Sequence, residues 1–410
     1  MKTKHWLEFL PLAAMFVPVF FVSIIPPAWR SPLVILAAVL LLGLRVTGTG
    51  ALLRFNPVSL AWLATLPFVV LNWAMDFPDR FYVLFYSVCI LFFLSYGDVD
   101  LSWAFGAAKL VAAMGAVYAG FTILQAVMPD FFIRHLVPLL NPNPTYDPLF
   151  AMQHGGYAGL TYQSAVNTTY LAMGIAATFP VLLTGTERKW KLVTLVAVEL
   201  LCMLMSGKRG PAAFAALAML LTAFANSPQN RKLLTALKTV AGLYVLLLLV
   251  YHFVPVAARF FERVLEYDGG DISNGRFDRY RVAWQLFAEH PVLGIGWAQF
   301  RYRFLKISDT HNVYLQLLCE TGVVGTFVFF VAFLSTLRAT FRQLSWARRW
   351  NLREERGLLL FSLFVQLFFL LYALTGNGLY DYYIFFFYVA AVLVLMAVRR
   401  RMALLKGAGS

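Results

Sequence analysis

Apolar runs separated by short polar connections recur from one end of the chain to the other. A bilayer core takes roughly 20 helical residues to cross, and twelve segments approach that length: 6–25, 32–46, 57–76, 81–97, 101–128, 161–183, 191–206, 210–225, 234–256, 312–341, 356–376 and 379–398. The pattern predicts an all-α, polytopic integral membrane protein of about 12 transmembrane helices, with residues 1–410 as one membrane domain. Two longer polar stretches interrupt it, 129–159 and 257–310. The second is the only sizeable extramembrane element, and it carries a helical pattern of its own. No repeat of about 20–50 residues is visible.

Composition agrees with the pattern. Hydrophobic residues make up 60% of the chain and charged ones 13%. The mean hydropathy of +0.71 lies outside the soluble globular range. Cys89, Cys202 and Cys319 all fall in or beside apolar segments, so they read as packing residues and not as a disulfide framework. Lys2 and Lys4 precede the first apolar run as in a secretion signal, but Pro26-Pro27-Ala28-Trp29 is a poor cleavage site. The first run is therefore expected to be an uncleaved span.

Orientation follows from the lysine and arginine bias of short loops. With both termini cytoplasmic, that side receives Arg45 and Arg54, then Arg188, Lys189 and Lys191, then Arg231 and Lys232. It also receives Arg342, Arg348, Arg349, Arg353 and Arg356, and Arg399 to Arg401 with Lys406 in the tail. The opposite loops, such as 26–31, are less basic.

The exceptions to that bias carry the chemistry. Between Ala257 and Thr310 eight basic side chains accompany seven acidic ones, so much of this loop reads as ordinary ion-paired surface. Arg276 and Arg279 stand apart from it. Ser273-Asn274 reads as an N-cap, the segment to His290 is helical with Val282, Leu286 and Phe287 on an apolar stripe, and Pro291 ends it. Residues three apart share a helix face, so the two guanidinium groups can point together near a helix start, where an anion is favoured. Arg281 follows close behind. Lys208 and Arg209 place two charges in the five-residue connection 206–210, on the side where the bias predicts few. The bland reading of Arg209 is a snorkelling interfacial side chain; the sharper one is a phosphate contact, which guanidinium forks suit.

His311 with Asn312 stands at the mouth of an apolar helix, followed by Gly322 and Gly325 at a spacing expected to pack that span against a neighbour. Histidine can exchange a proton near neutral pH, although alone it would more often be structural. His5, His135, His154, His252 and His290 lack a comparable setting. No metal-ligand spacing, P-loop or dinucleotide-binding glycine pattern is present, so neither a cofactor nor nucleotide hydrolysis is expected.

Three stretches together resemble the O-antigen ligase/polymerase superfamily. They are Ser273-Asn-Gly-Arg-Phe-Asp-Arg-Tyr, Glu289-His-Pro-Val-Leu-Gly-Ile-Gly-Trp and His311-Asn-Val-Tyr-Leu-Gln-Leu-Leu-Cys-Glu-Thr-Gly-Val-Val-Gly. Members are bacterial inner-membrane glycosyltransferases acting on undecaprenyl-diphosphate-linked glycans. His311-Asn312, nine residues, Gly322, two residues, Gly325 is similar to the ligases' histidine motif. Ser206-Gly-Lys-Arg-Gly resembles the family's arginine at the outer end of a mid-chain span, carried here to Arg209. The family's essential loop arginine is carried to Arg276, with Arg279 as a near alternative. The close resemblance covers residues 206–325. One position departs: some ligases have a leucine four residues after the mid-chain basic residue, where this chain has Ala213.

The resemblance implies a periplasmic active site, with 129–159 and 257–310 as periplasmic loops. His311, Arg209 and Arg276 would be catalytic, and Lys208, Arg279, Arg281 and Asn312 would bind the diphosphate or glycan. The donor would be an undecaprenyl-diphosphate-linked glycan and the acceptor lipid A-core, among membrane lipids and with no nucleic acid. Tyr146, Gln153, Tyr157, Gln163 and Asn167 are either glycan or lipid contacts or structural polar residues. Alternatives are an O-antigen or exopolysaccharide polymerase, a protein O-oligosaccharyltransferase and, more remotely, a transporter. Against the transporter, neither half shows a matching broken helix near mid-membrane, and the polar cluster lies outside the spans and not at the midplane.

Overall fold

The computed structural model describes residues 2–47, 53–70, 80–96, 101–140, 149, 152, 156–185, 189–253, 275–303 and 308–407. Ser273, Asn274, Tyr146, Gln153, His154 and the loop charges Arg259, Arg263 and Lys306 lie outside them. Among the described residues every regular element is helical. In chain order these are α1 (Lys2–Phe20), α2 (Pro27–Thr47), α3 (Pro57–Leu63), α4 (Leu66–Val70), α5 (Arg80–Ser95), α6 (Leu101–Val127) and α7 (Pro129–His135). Then come α8 (Ser164–Thr184), α9 (Lys189–Met205), α10 (Arg209–Asn226), α11 (Lys232–Phe253), α12 (Arg276–Glu289), α13 (Phe300–Arg303), α14 (Val313–Arg349), α15 (Arg353–Tyr372) and α16 (Tyr382–Gly407).

Six of the described helices are long and apolar enough to cross a membrane: α2, α6, α8, α14, α15 and α16. The expected count of about twelve is thus met only in part. The predicted span 57–76 is interrupted at residues 64–65, which leaves two short helices, and α9 stops at 17 residues. The stretch 129–159, expected as a loop, opens with α7, which Pro129 starts at a position where its missing N–H costs nothing.

Packing follows how apolar each helix is around its circumference. In α16, 94% of the spanning window is buried, and α15, α6, α5, α1 and α14 surround it. A helix apolar all round belongs inside. In α2 only 17% is buried, leaving Ile35, Leu36 and Val39 facing outward. Helix α8 is buried because small residues let its neighbours close in. Gly174 faces Gly115 of α6 backbone to backbone, with Glu199 of α9 wedged beside both. The three cysteines are buried and free.

Contacts sort the helix termini into two groups. The starts of α8, α10, α14 and α16 gather with the ends of α9 and α15: Tyr157 N–H donates to Met205 O at 3.1 Å, and Val313 N–H to Ala373 O at 2.9 Å. A Cβ on Gly210 would lie 3.5 Å from Thr375 Oγ1. At the other end Arg399 Nη1 donates to Asn56 Oδ1 at 3.4 Å, and Arg54 N–H to Leu94 O at 2.7 Å. The arginines around 348–356 and 399–401 therefore lie at the end opposite to His311 and Lys208.

Candidate functional site

The site is built on an interruption of α14. Gly322 takes φ 61° and ψ −169°, outside any helix, and divides the element in two. The close packing expected at Gly322 is present, against the backbone of Val292 and Leu293, but the residue makes it from a break and not at helical spacing. The turn that follows α12 makes four backbone hydrogen bonds with groups around the break. Ile295 and Gly296 N–H donate to Cys319 O at 2.9 Å and Glu320 O at 2.8 Å. Val323 and Val324 N–H donate to Pro291 O at 2.9 Å and Val292 O at 3.3 Å. Buried backbone groups need partners, so the 291–296 turn is docked into the helix as firmly as a strand into a sheet. Gly325 does pack closely, against Phe68 and Thr321.

Below the break lies a buried polar network that the sequence reading missed. Both oxygens of Glu320 are acceptors: Ala298 N–H and Tyr380 Oη donate to Oε2 at 2.7 Å each, and Phe300 N–H and Gln316 Nε2 donate to Oε1 at 3.0 and 3.1 Å. Gln316 Nε2 also reaches Asp309 Oδ1 at 3.0 Å, and Arg301 grips Asp309 with Nε at 3.3 Å and Nη2 at 2.6 Å. This fork is the planar geometry that a lysine cannot supply. No short motif announces these residues, because they join through space; a glutamate and a glutamine inside an apolar run were the available signal.

The network ends on His311. Its φ is 57°, a left-handed conformation costly for a residue with a Cβ and retained only when its surroundings enforce it. The enforcing group is Asn377, in the turn between α15 and α16. Its Oδ1 accepts the His311 backbone N–H at 3.0 Å, and its Nδ2 lies 3.4 Å from His311 Nδ1. Asn312 is spent on capping: its Oδ1 accepts Tyr314 N–H at 3.0 Å and Leu315 N–H at 3.1 Å. Its oxygen thus starts the helix.

Burial first, and then the charge of Arg279, lowers the His311 pKa to about 4. Asp309 opposes this, while Arg276 and Lys208 add to it. The ring is therefore neutral at pH 7, and three of the predicted basic residues lie close enough for their fields to act on it. Helix α12 carries Arg276 and Arg279, both half-buried; Ala283 packs with Phe300 and Cys319, and Val282, Leu286 and Phe287 close around them. That stripe is the one expected from the sequence. The cap position, however, is Gly275 at φ 72°.

The remaining candidates differ in exposure and in partners. Arg281 faces solvent and pairs with Asp278 at 3.7 Å, both side chains being about three-quarters exposed. Arg209 opens α10 and is exposed, whereas Lys208 beside it is half-buried. Asn167 is fully buried, donating to Thr122 Oγ1 at 2.8 Å and Tyr157 O at 3.3 Å, and Gln163 precedes α8. For Asn167 this is an internal structural contact.

Residues 192–330 match the family model described as O-antigen ligase. That stretch runs from α9 to the middle of α14 and includes Lys208, Arg209, Arg276, Arg279, His311 and both glycines of the break region, but not Asn377 or Tyr380. The match supports the O-antigen ligase superfamily, a family of membrane glycosyltransferases. No curated protein matches the chain.

Proposed function

We propose, proceeding from that superfamily match, that the protein moves O-antigen polysaccharide from undecaprenyl diphosphate to a sugar of lipid A-core. The reaction would complete lipopolysaccharide on the periplasmic side of the inner membrane. The observation that carries this reading is His311, held by Asn377 at the same end of the helical bundle as the half-buried Lys208, with the half-buried Arg276 and Arg279 on α12; the charges of all three act on its ring. Three cations around a neutral imidazole suit a group that gains negative charge, and a departing lipid diphosphate is such a group. Preorganised donors of this kind are each worth about 3–4 kcal/mol to a transition state.

The cations hold the diphosphate and neutralise its charge as it leaves, with Arg209 at the rim of the same end. The acceptor hydroxyl attacks the anomeric carbon in line, and a single displacement inverts that centre. His311 is either the base on the hydroxyl or a group that orients the reactants by hydrogen bonding. With the charge supplied by side chains, the reaction is expected to be independent of metal.

The test is a reconstitution of the purified full chain with undecaprenyl-diphosphate O-antigen, with and without lipid A-core, in EDTA, beside His311→Ala. Glycan appearing on lipid A-core and lost in the variant supports the ligase. Longer lipid-linked glycan made without lipid A-core shows a polymerase. No transfer in either mixture, but transfer once a pilin-like protein is added, shows a protein O-oligosaccharyltransferase, and loss of activity in EDTA removes the metal-independent step.

A further inference from the structure

We propose that Asn377 sets the tautomer of His311, keeping the ring proton on Nε2, so that His311 meets the lipid diphosphate as a hydrogen-bond donor and takes no proton from the acceptor. The inference rests on the glycosyltransferase reading above and decides between the two roles open to the histidine there.

The orientation of the Asn377 amide is fixed from two sides. Its Oδ1 accepts the His311 backbone N–H at 3.0 Å, which an amide nitrogen cannot do. Its Nδ2 faces Asp309 Oδ2 at 3.5 Å, where an oxygen would meet a carboxylate. Reversing the amide would create two repulsive contacts at once. Asn377 is buried, and its own carbonyl accepts Tyr380 N–H at 2.7 Å and Asp381 N–H at 2.8 Å, so the residue cannot swing away. Asp309 is held in turn by Arg301 and Gln316.

The group 3.4 Å from His311 Nδ1 is therefore an NH2. One of its hydrogens points to Asp309 and the other to the ring. A neutral imidazole whose Nδ1 faces a donor carries its proton on Nε2. A general base needs the opposite arrangement, a bare nitrogen toward the substrate. The charges acting on the ring agree with a donor. Arg279, Arg276 and Lys208 are positive and Asp309, the acidic group among them, is engaged by Arg301. With Nε2 turned toward those cations, an anion they draw in would accept a hydrogen bond from its proton.

The acceptor oxygen bonds to the anomeric carbon while the bond from that carbon to the diphosphate oxygen breaks. The electron pair stays on the diphosphate, stabilised by Nε2–H and the cations, and the acceptor's proton leaves with the diphosphate. Asn377 touches no substrate in this scheme; it is a positioning residue.

Histidine-selective 15N labelling of the full chain in nanodiscs reads the tautomer directly, with His311 assigned by the signals lost in His311→Gln. The wild type is expected to show a bare Nδ1 and a protonated Nε2 at neutral pH. Asn377→Ala is expected to show mixed tautomers and transfer reduced by about 10²-fold in kcat. A protonated Nδ1 in the wild type, or Asn377→Ala with undiminished transfer, overturns the proposal. If the variant fails to fold, the wild-type spectrum decides alone. The spectrum needs no turnover, so a wild type with the expected tautomer but no transfer would remove the glycosyltransferase reading and leave the Asn377 assignment standing.

Discussion

Gly322 lies against the carbonyl of Val292 so closely that a Cβ at position 322 would overlap it, with the Leu293 amide just beyond. Gly294, at φ 71°, meets the backbone of Glu320 and Thr321 in the same way from the turn. The two glycines let the 291–296 turn enter the break in α14. Both positions need left-handed backbone as well as space.

Gly322→Ala is therefore expected to undock the turn. The strained backbone alone costs about 1–3 kcal/mol, and the overlap adds to it. Melting temperature in detergent should drop and transfer should fall at least about tenfold. Gly120→Ala, where nothing lies within 4 Å of the added methyl, is the control and should change neither. Equal behaviour of the two variants would remove the docking role.

Glu320 offers a second test, because its two oxygens accept from four donors. Glu320→Gln puts an NH2 against two of those donors whichever way the amide turns. The expected loss is on the order of 2–3 kcal/mol, read as a lower melting temperature with reduced transfer. Undiminished stability would show that the carboxyl can be replaced by an amide without cost.

The loop arginines should separate by position and not by charge. Arg276→Ala and Arg279→Ala each remove a cation acting on the His311 site and are expected to reduce kcat/KM for the lipid-linked donor by about 10²-fold. Arg281→Ala removes an exposed pair with Asp278 and should cost less than about 1 kcal/mol in stability and leave transfer intact. An Arg281→Ala enzyme as impaired as the other two would contradict the site.

Acid should weaken the fold through His311. Its pKa is lowered from the ordinary 6.5 to about 4 by burial and by Arg279. Between those values the unfolded chain binds the proton first, so the stabilisation is complete above pH 6.5 and is lost as pH falls toward 4. The contribution is no more than about 3 kcal/mol, reduced by the ring's partial exposure. Melting temperature should decline across that window, and His311→Gln should flatten the decline. A wild-type slope no steeper than the variant's would exclude the linkage.

Hydrophobic periodicity, composition and the placement of lysines and arginines by themselves determined the helical class and the membrane setting. They also singled out Lys208, a charge on the side where the basic bias predicts few, Arg276 and Arg279, which share a helix face near a helix start, and His311, at the mouth of an apolar helix. The stripe of α12 was legible as well, since a 3.6-residue period survives in any surroundings. Tertiary structure decided the rest. It separated Arg281 from Arg279 through the direction each takes on one short helix, and gave Asn312 to a helix cap. It placed Gly322 in a break where helical spacing suggested a packing surface. Above all it brought Asn377, 66 positions along the chain, against the backbone and ring of His311. A long-range hydrogen bond has no period and no local composition, so only the packed helices could make that partnership visible.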